Sequence, residues 1–226
     1  MLKMQINLKT VRRNIKAMRA KLNPGVRFCA VLKANAYSLG DVTIARAIHD
    51  DVDWFAVAKL CEGVALREAA HVKKPILLFG VCDDIKTAIK HKITVSVNSL
   101  EEMQRVCDIA RETGKIHVHI KVNTGLNRFG ITTPWQLRTM LTLANQSPEV
   151  IVGGLYTHMS HETDNISEVD RQLKRFVPFR AIMRRYNPCA IIHAACTGAA
   201  EYQCAQFDMV RIGKAKACCR NIIYTF

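Results

Sequence analysis

Apolar residues along the chain follow two patterns that alternate with each other. The first pattern is the spacing of three or four residues that is typical of a helix, as at Leu8, Val11, Ile15, Met18 and Leu22. The second consists of short, continuously apolar runs, which are typical of parallel strands buried on both faces of a sheet. We expect eight such strands, at residues 27–32, 53–58, 75–79, 93–97, 116–122, 150–157, 190–193 and 207–212.

Helical patterns separate these strands. Asp41 begins one helix, Ser99 begins another with a capping-box pattern, and Thr133 precedes a first-turn proline. Ser167 is expected to begin a long helix. Eight strand–helix units in series predict an α/β fold, the (β/α)8 TIM barrel with parallel strands. Because only about fourteen residues without a clear apolar face follow the last strand, we expect the last helix to be truncated.

Length and composition are those of a single globular domain. The chain has 226 residues, 49% hydrophobic residues and a mean hydropathy of +0.01, so we expect residues 1–226 to form one domain. We expect neither a signal peptide nor a membrane-spanning segment. The nine cysteines include no CxxC pair, which is typical of reduced thiols in the cytoplasm.

The net charge is strongly positive, at +14 from 33 lysines and arginines against 19 carboxylates. A polyanion could neutralise such a surface. The charges are spread along the chain, however, and no nucleic-acid-binding motif accompanies them, so we expect a solvated basic surface without a specific nucleic acid or membrane partner. A smaller anion, such as a phosphorylated cofactor, would also be attracted.

Chemically functional side chains follow the ends of several predicted strands. They are Lys33, Tyr37, Arg128, His158, Thr197, Arg211 and Gly213. Because active sites of β/α barrels lie at the C-terminal ends of the strands, we expect these residues to meet at one mouth. Each of three residues also has a purely structural interpretation. His158 could be a histidine at the edge of the core, Arg211 a salt-bridge partner, and Thr197 the N-cap of a helix. Their joint placement favours a cofactor site.

Among the functions weighed for this chain, metal binding has the least support from the sequence. The chain contains the pairs His117-x-His119 and His158-x-x-His161. No cysteine or carboxylate is spaced to complete either pair as a metal site, so we predict none.

Five sequence blocks resemble motifs of the alanine racemase family. Residues 31–37, Val-Leu-Lys-Ala-Asn-Ala-Tyr, resemble the pyridoxal-phosphate lysine motif, although the chain continues Ser-Leu-Gly where the family has Gly-His-Gly. The remaining blocks are at residues 121–130, 154–158, 193–197 and 207–213. The blocks occur in the family's order along nearly the whole chain and fall on predicted strand ends. One departure is Cys-Thr in the fourth block, where the family has Asn-Ser.

The resemblance implies pyridoxal 5'-phosphate as the cofactor. Lys33 would then be the Schiff-base lysine and the catalytic base on one face of the substrate's α-carbon. A lysine at the end of a buried strand suits this role because desolvation disfavours its charge. The residues that would hold the cofactor phosphate are Tyr37, Thr197, Gly213 and Lys214.

The resemblance also implies roles around the cofactor ring and the substrate. His158 would pack against the ring, and Arg211, supported by His193, would face the ring nitrogen. Arg128 would orient the substrate carboxylate. Lys121 would steady Arg128, and in the family this lysine is often carbamylated.

The activity implied is interconversion of L-alanine and D-alanine, a step of D-alanine biosynthesis, with a small amino acid as substrate. The family supplies a second proton-transfer group, a tyrosine, from a C-terminal β-domain of the other subunit in a homodimer. No motif of that domain is found, so we expect the domain to be absent, racemisation incomplete and the homodimer weakened or lost. The chain would then exchange the α-proton of D-alanine only. The alternative is a non-catalytic pyridoxal-phosphate-binding homeostasis barrel.

Overall fold

The computed structural model describes residues 3–160, 165–213 and 222–225. Eight parallel strands form a closed barrel, in which the last strand pairs with the first. They are β2 (Arg27–Val31), β3 (Trp54–Val57), β4 (Ile76–Leu78), β5 (Thr94–Val97), β6 (Ile116–Lys121), β7 (Val150–Tyr156), β8 (Ile191–His193) and β9 (Met209–Ile212). All eight predicted strands and the TIM-barrel class are confirmed.

Helices follow the strands and cover the outside of the barrel. They are α1 (Leu8–Arg19), α3 (Asp41–Ile48), α4 (Leu60–Glu68), α5 (Ile85–Lys90), α6 (Leu100–Thr113), α7 (Pro134–Asn145), α8 (Ile166–Tyr186) and α9 (Gln203–Gln206). The short segment α2 (Lys33–Ser38) directly follows β2 and is not a regular right-handed helix. The main apolar core lies between these helices and the strands. No helix in the described part of the chain is long and apolar enough to cross a membrane.

The predicted helix starts are confirmed in most cases and wrong in one. The side chains of Ser99 and Thr133 accept hydrogen bonds from the first turns of α6 and α7. The long helix α8 begins at Ile166 instead of Ser167, because the side chain of Asn165 accepts from the Glu168 N–H and takes the cap position. The expected truncated helix after β9 falls mostly on residues 214–221, which lie outside the described residues.

One strand pair was not predicted. β1 (Lys3–Ile6) pairs antiparallel with β10 (Ile222–Thr225), apart from the barrel. The two strands are more than 200 residues apart in sequence, so no local apolar pattern signals the pairing.

A glycine in β7 makes room for a histidine of β6. The pairing of β6 with β7 shifts register between Val118 and His119, and the His119 ring lies against Gly154. A Cβ atom on Gly154 would lie 2.6 Å from Cε1 of that ring. The histidine therefore requires glycine at this position.

We expect Gly154→Ala to lower the free energy of unfolding by about 1–3 kcal/mol, because the added methyl group overpacks a buried ring. Gly153→Ala is the matched control, since its Cβ would lie 3.8 Å from the nearest His119 atom. Both changes remove the same backbone freedom from the unfolded chain, so the difference isolates the clash. Urea denaturation measures both values, and equal values would contradict this account.

Candidate active site

The chain forms a left-handed turn immediately after Lys33. Residues 34–37 have φ between 51° and 59°, and Ser38 has φ 71°. Left-handed backbone costs about 1–2 kcal/mol for each residue that carries a Cβ atom, so such a run persists only where its surroundings hold it. Lys33 is half-buried at the start of this turn.

The turn brings Tyr37 to the end of β9. A Cβ atom on Gly213 would lie 2.3 Å from the Tyr37 hydroxyl oxygen, so the two residues are in close contact. The Gly213 N–H donates to Oγ1 of Thr197 at 2.9 Å, and Nζ of Lys33 lies 6.0 Å from the centroid of the Tyr37 ring. Four of the predicted site residues therefore meet at three neighbouring strand ends. The hydroxyls of Tyr37 and Thr197 and the buried backbone of Gly213 form a cradle with the donor chemistry that a phosphate group requires.

Arg211 lies inside the barrel and is 2% exposed. Its Nη1 donates to Nδ1 of His193 at 2.7 Å, and its Nη2 donates to the carbonyl oxygens of Thr157 and Ala194 at 2.8 Å. No carboxylate among the described residues pairs with it, so this part of the chain gives no support to the salt-bridge interpretation. Its buried Nε has no hydrogen-bond partner within the described part of the chain. A buried donor without a partner costs about 1–3 kcal/mol and marks a place for an acceptor.

The hydrogen bonds of Arg211 fix the tautomers of two buried histidines. A guanidinium can only donate, so Nδ1 of His193 accepts and its Nε2 carries the proton. That Nε2 lies 2.9 Å from Nδ1 of His119, to which it donates. Burial lowers the pKa of His119 to about 3, with the charges of His117 and Arg211 contributing, and it places the pKa of His193 well below its usual range. Both rings are neutral at pH 7.

His158 follows β7 and stands among four cations. Its pKa is lowered to about 3, mainly by burial and then, in decreasing order, by the charges of Arg211, Arg128, Lys121 and Lys33. Its Nδ1 lies 3.3 Å from Nη2 of Arg211. The neutral ring at pH 7 presents a flat, largely apolar face. The mouth around it carries a concentrated positive charge that favours anionic ligands.

Lys121 and Arg128 occupy different environments on the same side of the mouth. Lys121 is 3% exposed, with Nζ at 5.3 Å from the Phe129 ring centroid and 5.8 Å from that of Tyr156. Burial lowers the pKa of Lys121 to about 8, with contributions from the charges of Arg128 and Arg211. Arg128 is exposed in the loop that follows β6. An exposed guanidinium beside a buried ammonium can bind a carboxylate that enters from solvent.

Sequence reasoning missed part of this site. Tyr156 stacks on His193 at a centroid distance of 4.7 Å, and its hydroxyl lies 2.8 Å from Oγ of Ser96. His119 is two positions before Lys121 on β6, and this spacing, which places both side chains on one face of the strand, is the signal in the sequence that it belongs to the site. Lys214, predicted to help hold the cofactor phosphate, lies outside the described residues.

The sequence profile of the family described as alanine racemase, N-terminal domain, matches residues 6–216. Similar curated proteins include the alanine racemase of Streptococcus equi subsp. equi strain 4047, 29% identical over 213 residues, which cover 92% of this chain and 57% of that protein. The alanine racemase of Streptococcus pneumoniae serotype 4 is 32% identical over 214 residues, which cover 93% of this chain and 57% of that protein. The chain thus spans little more than half the length of these relatives.

Solved structures show the same relationship. An alanine racemase from Clostridium difficile 630 superposes with a TM-score of 0.86 at 29% identity, over 94% of this chain and 57% of that one. The alanine racemase from E. faecalis gives a TM-score of 0.85 at 27% identity, over 95% of this chain and 59% of that one.

Proposed function

The chain belongs to the alanine racemase N-terminal domain family, and we propose that its barrel binds pyridoxal 5'-phosphate and acts in the racemisation of a small amino acid. Alanine is the proposed substrate. The observation that carries the proposal is the buried Nε of Arg211, which lacks a partner among the described residues. It supplies the donor that a ring nitrogen needs. The cradle of Tyr37, Thr197 and Gly213 supplies the other end of the site.

The donor set fits the three functional groups of pyridoxal phosphate. The aldehyde requires an amine, and Lys33 provides one at the end of β2. The phosphate requires hydroxyl donors, and Tyr37 and Thr197 provide them beside Gly213, whose missing Cβ atom leaves room for the Tyr37 hydroxyl. An unprotonated ring nitrogen accepts a hydrogen bond from a donor that keeps its own proton, as a guanidinium does at neutral pH.

When bound, the cofactor withdraws electrons from the substrate's α-carbon and makes its proton acidic. Nζ of Lys33 would hold the cofactor covalently until the substrate's amino group displaces it, and the amine so freed would remove or return the proton on one face of that carbon. Arg211 donates from Nε without giving up its proton, which leaves the ring nitrogen unprotonated. By keeping that nitrogen unprotonated, Arg211 would disfavour transamination, which depends on a stronger electron sink.

The surrounding residues orient these groups. The hydrogen bond from Arg211 to His193 holds the guanidinium in the barrel. His158, neutral at pH 7, packs against the cofactor ring without adding a charge. Arg128 binds the substrate carboxylate, and Lys121 adds its charge beside it. We assign proton transfer to Lys33 and to no other described residue.

The proposed activity is tested by NMR of alanine in heavy water with the 226-residue chain and pyridoxal phosphate. We expect loss of the α-proton signal from D-alanine and a rate for L-alanine lower by about 10²–10⁴-fold, the usual contribution of one acid–base group. Equal exchange of both enantiomers would contradict the assignment of one proton-transfer group. Binding of the cofactor without any exchange would instead support a non-catalytic barrel.

Gly213→Ala is expected to weaken binding of pyridoxal phosphate by about tenfold or more, equivalent to about 1.4 kcal/mol. The added Cβ would lie 2.3 Å from the Tyr37 hydroxyl oxygen and displace it from the cradle. Gly153→Ala, which meets only ordinary contacts, is the matched control. Absorbance titration gives both dissociation constants, and unchanged affinity in Gly213→Ala would remove this residue from the phosphate site.

A further inference from the structure

One carboxylate ties the left-handed turn to the next strand–helix unit. Oε1 of Glu62, on α4, accepts from the Ala34 N–H at 2.6 Å. Its Oε2 accepts from the N–H groups of Ala58 and Lys59 at 2.8 and 3.0 Å. Ala34 directly follows Lys33, whereas Ala58 and Lys59 follow β3. Glu62 therefore connects the residue after the proposed cofactor lysine to the end of the adjacent strand.

We propose that Glu62 is a positioning residue, which fixes the left-handed turn and through it the direction of the Lys33 side chain. The inference rests on the proposed function, because it takes Nζ of Lys33 as the group that must be aimed. Hydrogen bonds to a carboxylate are stronger than those between neutral groups, which suits a turn that opposes backbone preference.

The rest of the turn is held by other means. The Ala36 N–H donates to the Leu32 carbonyl oxygen at 2.9 Å, and the Ala36 side chain is buried in the core. The Gly40 N–H donates to the Asn35 carbonyl oxygen at 3.0 Å. These contacts hold the middle and the end of the turn. Glu62 holds its first N–H group, next to Lys33.

A second helix of the barrel shows which part of this arrangement is ordinary helix capping. On α7, Oε1 of Gln136 accepts from the N–H groups of Thr132 and Thr133 at 2.9 and 3.0 Å. This is the same pair of bonds that Oε2 of Glu62 makes on α4. A glutamine is therefore sufficient for the cap, and the second oxygen of Glu62 is the addition that reaches Ala34.

Glu62→Gln separates the two roles. The amide oxygen can keep the cap of α4, as it does on α7, but the amide nitrogen then faces the Ala34 N–H, donor against donor. Gln136→Ala is the matched control, because it removes a cap that does not contact the Lys33 turn. Ala34→Gly in the Glu62→Gln background is a rescue variant, since glycine adopts left-handed backbone without the steric cost.

The first measurement is amide hydrogen exchange of the chain without cofactor. In Glu62→Gln we expect exchange of residues 33–40 to accelerate by about tenfold or more, while the barrel strands stay protected. Gln136→Ala should accelerate exchange only around the start of α7. Unchanged exchange of residues 33–40 in Glu62→Gln would overturn the inference, and so would an equal acceleration in Gln136→Ala.

The second measurement is titration with pyridoxal phosphate, with the modified lysine identified after borohydride reduction. We expect the dissociation constant of Glu62→Gln to rise by about tenfold, following the smaller population of the competent turn, and to recover in part on adding Ala34→Gly. A Lys33 adduct of unchanged affinity in Glu62→Gln would overturn the positioning role alone. Absence of a Lys33 adduct in the unsubstituted chain would overturn the proposed function and the positioning role together.

Discussion

The Lys33→Ala variant is expected to lose both covalent attachment of pyridoxal phosphate and exchange of the alanine α-proton, the latter by at least about 10³-fold. The loss is large because one amine performs both roles in the proposed site. Borohydride reduction followed by mass spectrometry measures attachment, and NMR in heavy water measures exchange.

The matched control for this variant is Lys59→Ala. Lys59 is an exposed lysine that follows the neighbouring strand β3, so it lies at the same end of the barrel as Lys33. We expect Lys59→Ala to keep attachment and exchange within about twofold of the unsubstituted chain. Exchange in Lys33→Ala within tenfold of that of the unsubstituted chain would contradict the assignment of Lys33 as the base.

Acid is expected to destabilise the barrel well before its carboxylates titrate. Burial lowers the pKa of His119 and His158 from 6.5 to about 3, and that of His193 well below 6.5. Below pH 6.5 the unfolded chain binds protons that the folded chain excludes, so stability falls as the pH falls. Each histidine contributes about 1.4 kcal/mol per pH unit, and the three together lower the free energy of unfolding by on the order of 5 kcal/mol between pH 7 and pH 5.

Urea denaturation at a series of pH values measures this dependence. His158→Gln should reduce it by about one third, because one of the three buried imidazoles is gone. His71→Asn is the control, since His71 is exposed and has φ 56°, which asparagine tolerates. Stability that does not change from pH 7 to pH 5 would contradict the account of the buried histidines.

The barrel and the meeting of its strand ends were predictable from the sequence. Continuous apolar runs are produced by strands that bury both faces, and this requirement acts locally at each strand. Once eight strands were placed, Tyr37, Thr197 and Gly213 had to lie at one end of the barrel. The contact of Tyr37 with Gly213 and the bond from Gly213 to Thr197 agree with that expectation.

The parts that escaped prediction depend on contacts between distant segments. Alanine favours right-handed helix, so residues 34–37 give no local signal of a left-handed turn. Glu62 lies 28 positions after Ala34, and its bond to that residue appears only when β2 and β3 are adjacent. The chain of bonds from Arg211 to His119 likewise joins three different strands.

Above all, we propose that the barrel assembles a pyridoxal phosphate site around Lys33. The most direct test is borohydride reduction of the purified chain with one equivalent of pyridoxal phosphate, followed by peptide mapping of the modified lysine. We expect modification to be concentrated at Lys33, in preference to the exposed lysines of a basic surface. Modification scattered over those exposed lysines would contradict it.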